Sequence, residues 1–91
     1  MRTTAIKENI SKIKQLENRY PNKLKLFRSE NDIDSLDMDM MMKGDHQDFD
    51  NADSDMPKFL AEQLESGKEV AIIPAGKSKM LLLAGHGLFK S

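Results

Sequence analysis

The sequence predicts an α+β fold, with two or three short helices packed on a small, mainly antiparallel sheet that ends in a C-terminal β-hairpin. Three observations carry this. Ile6, Ile10, Ile13, Leu16 and Tyr20 recur at intervals of three and four, the apolar stripe of an amphipathic helix. Phe59, Leu60 and Leu64 lie between Pro57 and Gly67, the buried face of a second helix over 56–66. Residues 70–73 and 80–83 are short apolar runs joined by Pro-Ala-Gly-Lys, as paired strands read.

Ninety-one residues make one small domain over 1–91, able to bury only a modest core. The absence of cysteine excludes a disulfide framework and thiolate metal ligation. The N-terminal stretch lacks the apolar centre of a signal peptide, and no run reaches the length that spans a bilayer, so a cytoplasmic location is expected. The net charge of −1 conceals a strong segregation. Residues 1–28 hold eight Lys/Arg against two Glu, residues 29–55 one Lys against ten Asp/Glu, and residues 56–91 five Lys against three Glu. The chain is basic, then acidic, then nearly neutral.

In the first helix Thr3 or Thr4 is the expected cap, and Pro21-Asn22 the stop. Lys7, Lys12, Lys14 and Arg19 fall off the apolar stripe and give an exposed basic surface. Lys23-Leu24-Lys25-Leu26 alternates with period two and reads as a half-exposed edge strand within 23–28, its lysines discouraging stray pairing. From Ser29 the composition turns acidic. Ser29 and Asp32 resemble a capping box, Ile33, Leu36 and Met40 share one helical face, and Lys43-Gly44 closes a short helix. Met38, Met40, Met41 and Met42 suit an irregular core gap or an adaptable surface. Residues 44–55 hold almost nothing apolar beyond Phe49 and read as an acidic loop or partly ordered segment projecting from one side. Asp55 then caps the helix over 56–66. Pro74 is expected at the second position of the hairpin turn, and Gly76 closes it between strands at 69–73 and 79–84. The expected core is Ile6, Ile10, Ile13, Leu16, Leu24, Leu26, Phe59, Leu60, Leu64, Val70, Ile72, Leu81 and Leu83.

Motifs for chemistry are sparse. An EF-hand register from Asp48 puts Ala52 where a ligand is needed and Asp53 where the glycine belongs. Residues 71–78 end like a phosphate-binding loop, but the first glycine is missing and Gly76 sits in a hairpin. His46 and His86 stand alone, and no nucleophile with a base can be assembled. A non-enzyme with no cofactor and no metal is expected.

Glu65-Ser66-Gly67-Lys68-Glu69-Val70-Ala71-Ile72, followed by Gly76, resembles the helix-to-hairpin portion of Phd/YefM-type antitoxins, with Pro74 and Ala75 standing where that family has basic residues. The resemblance implies a dimeric DNA-binding domain.

Two functional expectations follow. In the first, a small regulatory or inhibitory protein engages a basic, nucleic-acid-handling surface of a partner through Asp32, Asp34, Asp37, Asp39, Asp45, Asp48, Asp50, Asp53 and Asp55, as inhibitors from phage or mobile elements do. In the alternative, an antitoxin-like regulator meets DNA phosphates with Lys7, Lys12, Lys14, Arg19, Lys23 and Lys25. Because 80–83 is apolar on both faces of its strand, a homodimer is expected to cover the second face of the hairpin.

Overall fold

The computed structural model describes residues 2–28 and 30–90. Along these the order is α1 (Arg2–Arg19), β1 (Leu24–Leu26), a 3-10 helix (Glu30–Ser35), α2 (Met38–Lys43), β2 (Asp45–Asp50), α3 (Asp55–Glu65), β3 (Glu69–Pro74) and β4 (Lys79–Gly85). The strands form one sheet in the order β1-β3-β4-β2, antiparallel except where β1 runs parallel to β3. The fold is α+β, as the apolar patterning predicts.

The sheet has a core on each face. On one, α1 and α3 bury Ile13, Met56, Leu60 and Leu64 against Leu24, Phe49, Val70, Ile72 and Leu82. On the other, Leu36 and Leu88 pack on Phe27, Ala71, Ile73 and Leu83, with Ile33, Met41, Leu81 and Phe89 around them. The chain itself therefore covers the hairpin's second face, and the premise for a covering homodimer is removed. Leu82, placed between the strands and the helices, is fully buried.

The stripe on α1 is rotated from the expected one. Asn9 and Ile13 are its buried residues, whereas Ile10 is 41% exposed and Ile6 only half-buried. Asn9 is drawn inward because its side-chain amide serves backbone carbonyls, a demand that apolar spacing does not express. Leu26, at the sheet edge, is 48% exposed and also leaves the expected core. Thr3 and Thr4 lie inside the helix rather than capping it, since α1 already begins at Arg2, whose side chain is tied to Asp50 and Asn51.

Three further expectations are corrected. The helix foreseen over 29–43 is broken in two, and Ser29, its expected cap, lies outside the described residues. Leu36 forms a β-bridge with Phe89, Asp37 N–H donates to the Leu88 carbonyl, and Asp37 then restarts the chain as the N-cap of α2, accepting from Met40 N–H at 3.1 Å. The acidic loop foreseen over 44–55 is largely strand. Residues 45–50 pair with β4 over six positions, anchored by buried Phe49, and only 51–54 turn. Pro74 is the last residue of β3, opposite Met80, not a turn residue. Ala75 N–H bonds Lys79 O across the hairpin, so by alternation the position before it faces β1, beyond β1's last partner at Ile72. The N–H that proline lacks is one the sheet does not use there.

Helix α3 ends as its sequence foretells. Gly67 takes φ +83°, while its N–H bonds Leu64 O and Lys68 N–H bonds Gln63 O. That paired closure needs a left-handed residue, which glycine adopts without strain.

Candidate functional site

An acidic edge is the most developed surface feature. β2 ends the sheet, with β4 on one side and, among the described residues, no strand beyond it. Phe49 faces the helices and meets Phe59 of α3 with ring centroids 5.5 Å apart and planes tilted by 49°. Between β2 and α3 runs an open groove of about 370 Å³, floored by these rings and walled by Gln47, Asp48, Asp53, Asp55, Lys58 and Glu62. Strand alternation turns the Asp48 side chain to the face opposite Phe49, the face on which His46 meets Met41, so three carboxylates, those of Asp53, Asp55 and Glu62, line the groove with one ammonium group.

The turn after β2 sets this rim. Asp50 accepts Ala52 N–H at 2.8 Å, and Asp53 accepts Asp55 N–H at 2.8 Å, the short-range bonds by which aspartate shapes turns. Asn9 Nδ2 donates to the carbonyls of Asn51 (3.0 Å) and Asp53 (2.9 Å), fastening the turn to α1. The Asp50 carboxyl is held below its ordinary value, first by the Ala52 amide and then by Arg2, whose guanidinium lies 3.0 Å away. Asp45 forms an ion pair with Lys68 at 3.3 Å. Among the described residues Asp48 and Asp55 have no such cation.

The nine expected partner-binding aspartates therefore divide. Asp45, Asp48, Asp50, Asp53 and Asp55 are gathered on β2 and the turn that follows. Asp32, Asp34, Asp37 and Asp39 belong to the layer over the sheet's other face. There Asp32 accepts Arg28 N–H at 3.0 Å, Asp37 caps α2, Asp39 sits in that helix's first turn and Asp34 is exposed. Glu62, Lys58 and the Phe49–Phe59 floor escape a reading by composition. Phe49, the lone apolar residue of its acidic run, was the signal for them.

The six expected nucleic-acid-binding cations are all exposed but not gathered. On a helix of 3.6 residues per turn, Lys12 and Arg19 form one stripe and Lys7 and Lys14 another, roughly 140° away. Lys12 and Arg19 join Lys58 around a groove between α1 and α3, floored by Leu16, Pro57 and Ala61. Lys23 precedes β1, and Lys25 places its ammonium 4.6 Å from the Phe89 ring centroid on the opposite face of the sheet.

His46 Nε2 lies 3.3 Å from Met41 O. Among the described residues no group of three or more His, Asp or Glu is placed to hold a metal ion, and no helix is long and apolar enough to cross a membrane.

No family model, curated protein or solved structure matches the chain. The likeness to antitoxins around Gly67 and Gly76 thus rests on those residues alone.

Proposed function

We propose that this protein is a non-catalytic binding protein of the cytoplasm, regulatory or inhibitory, whose acidic edge engages a basic, nucleic-acid-handling surface of a partner protein. The observation that carries this reading is the acidic edge itself: Asp53, Asp55 and Glu62 line the β2–α3 groove with only Lys58 among them, and Asp48 is exposed on the other face of the same strand. Like charges held this close on an exposed surface cost stability and are relieved when a basic partner approaches. The same field accelerates the encounter and weakens with salt. This narrows the expected interface to the aspartates at 45–55, since Asp32 and Asp37 already serve local backbone groups. The DNA-binding alternative requires Lys7, Lys12, Lys14, Arg19, Lys23 and Lys25 to share a surface, and their stripes diverge. A homodimer is not needed by this reading.

The test is affinity capture from a host lysate with the wild-type chain and with a variant carrying Asp48→Asn, Asp55→Asn and Glu62→Gln. These substitutions keep shape and remove charge. A captured nucleic-acid-binding protein that is lost with the variant and displaced by added oligonucleotide is the expected result. Equal recovery by both chains, undisturbed by oligonucleotide, overturns the reading.

A further inference from the structure

We infer that the free edge of β2 is a strand-addition site, taking an extended, basic segment of the partner as a fifth strand beside the groove between β2 and α3. This rests on the functional reading above and specifies its mode. The hydrogen bonds of β2 leave part of its outer edge free. Asn51 N–H donates to Ser78 O at 2.8 Å, in register with the β2–β4 ladder. Antiparallel partners alternate between bonded and non-bonded pairs, so Asp45, Gln47 and Phe49 spend their backbone groups on β4, and His46 and Asp48 turn theirs outward. The Asp50 carbonyl is already taken by Asp53 N–H at 2.9 Å, which ends the open run. Two residues thus offer donor and acceptor pairs with the spacing an added strand requires.

The groove selects the occupant. Alternate side chains of an added strand fall on the helix side, over Phe49 and Phe59, with the carboxylates of Asp55 and Glu62 above. A lysine or arginine suits both levels, its aliphatic stem on the rings and its charged head at the rim. Carboxylates on an edge that served only to prevent pairing would repel strands without a floor to receive their side chains. The opposite edge differs. It is the three-residue β1, flanked by the cations Lys23 and Arg28.

The experiment uses the full chain and a labelled peptide of alternating lysine and valine, together with the same peptide N-methylated at alternate residues to remove donors without changing charge. Binding is followed by fluorescence anisotropy, and the exchange of individual backbone amides by NMR. The expected result is slowed exchange at the His46 and Asp48 amides and a loss of affinity of roughly thirtyfold on N-methylation, the effect of two missing hydrogen bonds. Salt-sensitive binding that leaves both amides exchanging as in the free protein, and that ignores N-methylation, overturns strand addition while leaving the electrostatic reading intact. Absence of binding overturns strand addition, and the capture experiment then judges the broader reading separately. Light scattering on the protein alone is the second arm. Mass that grows with concentration and is abolished by Lys23→Glu would identify the occupant as β1 of another copy and overturn the assignment to a partner.

Discussion

Asn9 offers the sharpest test of how the acidic edge is held. It is 3% exposed, and both hydrogens of its side-chain amide are used, on the carbonyls of Asn51 and Asp53. Asn9→Asp keeps the shape, removes both donors and sets a carboxylate against two carbonyl oxygens. Two hydrogen bonds at about 1 kcal/mol each, together with acceptors left unmet in a partly buried site, come to roughly 2–4 kcal/mol. For a domain of this size that is a fall in melting temperature on the order of 15 °C. Urea unfolding followed by circular dichroism should show a lower midpoint with an unchanged slope. The pH dependence adds a second check. Burial beside two carbonyls raises the introduced carboxyl's pKa in the folded state, and its protonated form can donate to one of them. The deficit relative to wild type should therefore be smallest in acid and grow as pH rises through that raised value. Stability within about 0.5 kcal/mol of wild type at neutral pH would refute the view that Asn9 fastens the turn.

Other predictions address the remaining layers. Leu36→Ala removes a fully buried side chain from the second core and should cost about 2–5 kcal/mol in chemical unfolding; a cost under about 1 kcal/mol would mean that the 30–43 layer is not packed as described. Gly44→Ala places a Cβ against the Ala84 carbonyl, a backbone atom that cannot swing aside, and should lower stability by at least about 1–3 kcal/mol, so a neutral effect by thermal unfolding would count against the close approach of α2's end to β4. Because its folded value is lowered, Asp50 contributes stability that is complete well above the ordinary 3.8 and lost as pH falls through the lowered value. A carbon-detected NMR titration should place Asp50 below 3.8 and move it upward in Arg2→Met; a midpoint at or above 3.8 in the wild type contradicts the assigned bonds.

Legibility in the sequence followed the source of each element's stability. α3, β3 and β4 owe theirs to apolar side chains at regular spacing, and the sequence placed them within a residue or so. β2 does not. As an edge strand exposed on both faces over most of its length, it needs only one apolar anchor, Phe49, and is held by backbone pairing to β4, which composition does not record. The same blindness affected 29–43, where a helical spacing of Ile33, Leu36 and Met40 was real but Leu36 was claimed by a β-bridge to Phe89. The site was legible as charge and illegible as shape: Asp53 and Asp55 could be listed, but not that Glu62 and two phenylalanines would join them.

The charge segregation along the chain takes a different meaning once folded. A basic N-terminal helix beside an acidic segment suggests that each neutralises the other, which would leave the aspartates without a role in binding. The contacts argue otherwise. Among the described residues Arg2 is the one cation of α1 that reaches an acidic side chain of β2, while Lys7 and Lys14 occupy the helix's outer surface. Exposed charges are screened over about 8 Å at physiological salt, so cations on a distant face do little to cancel the field at the edge. A chain with a net charge of −1 can therefore present a strongly negative rim to a partner. Reversing Lys7 and Lys14 to Glu should accordingly leave the affinity for a basic peptide nearly unchanged, whereas Asp48→Lys should abolish it. A large effect of the helix substitutions would mean that the whole-molecule charge, rather than the edge, governs binding.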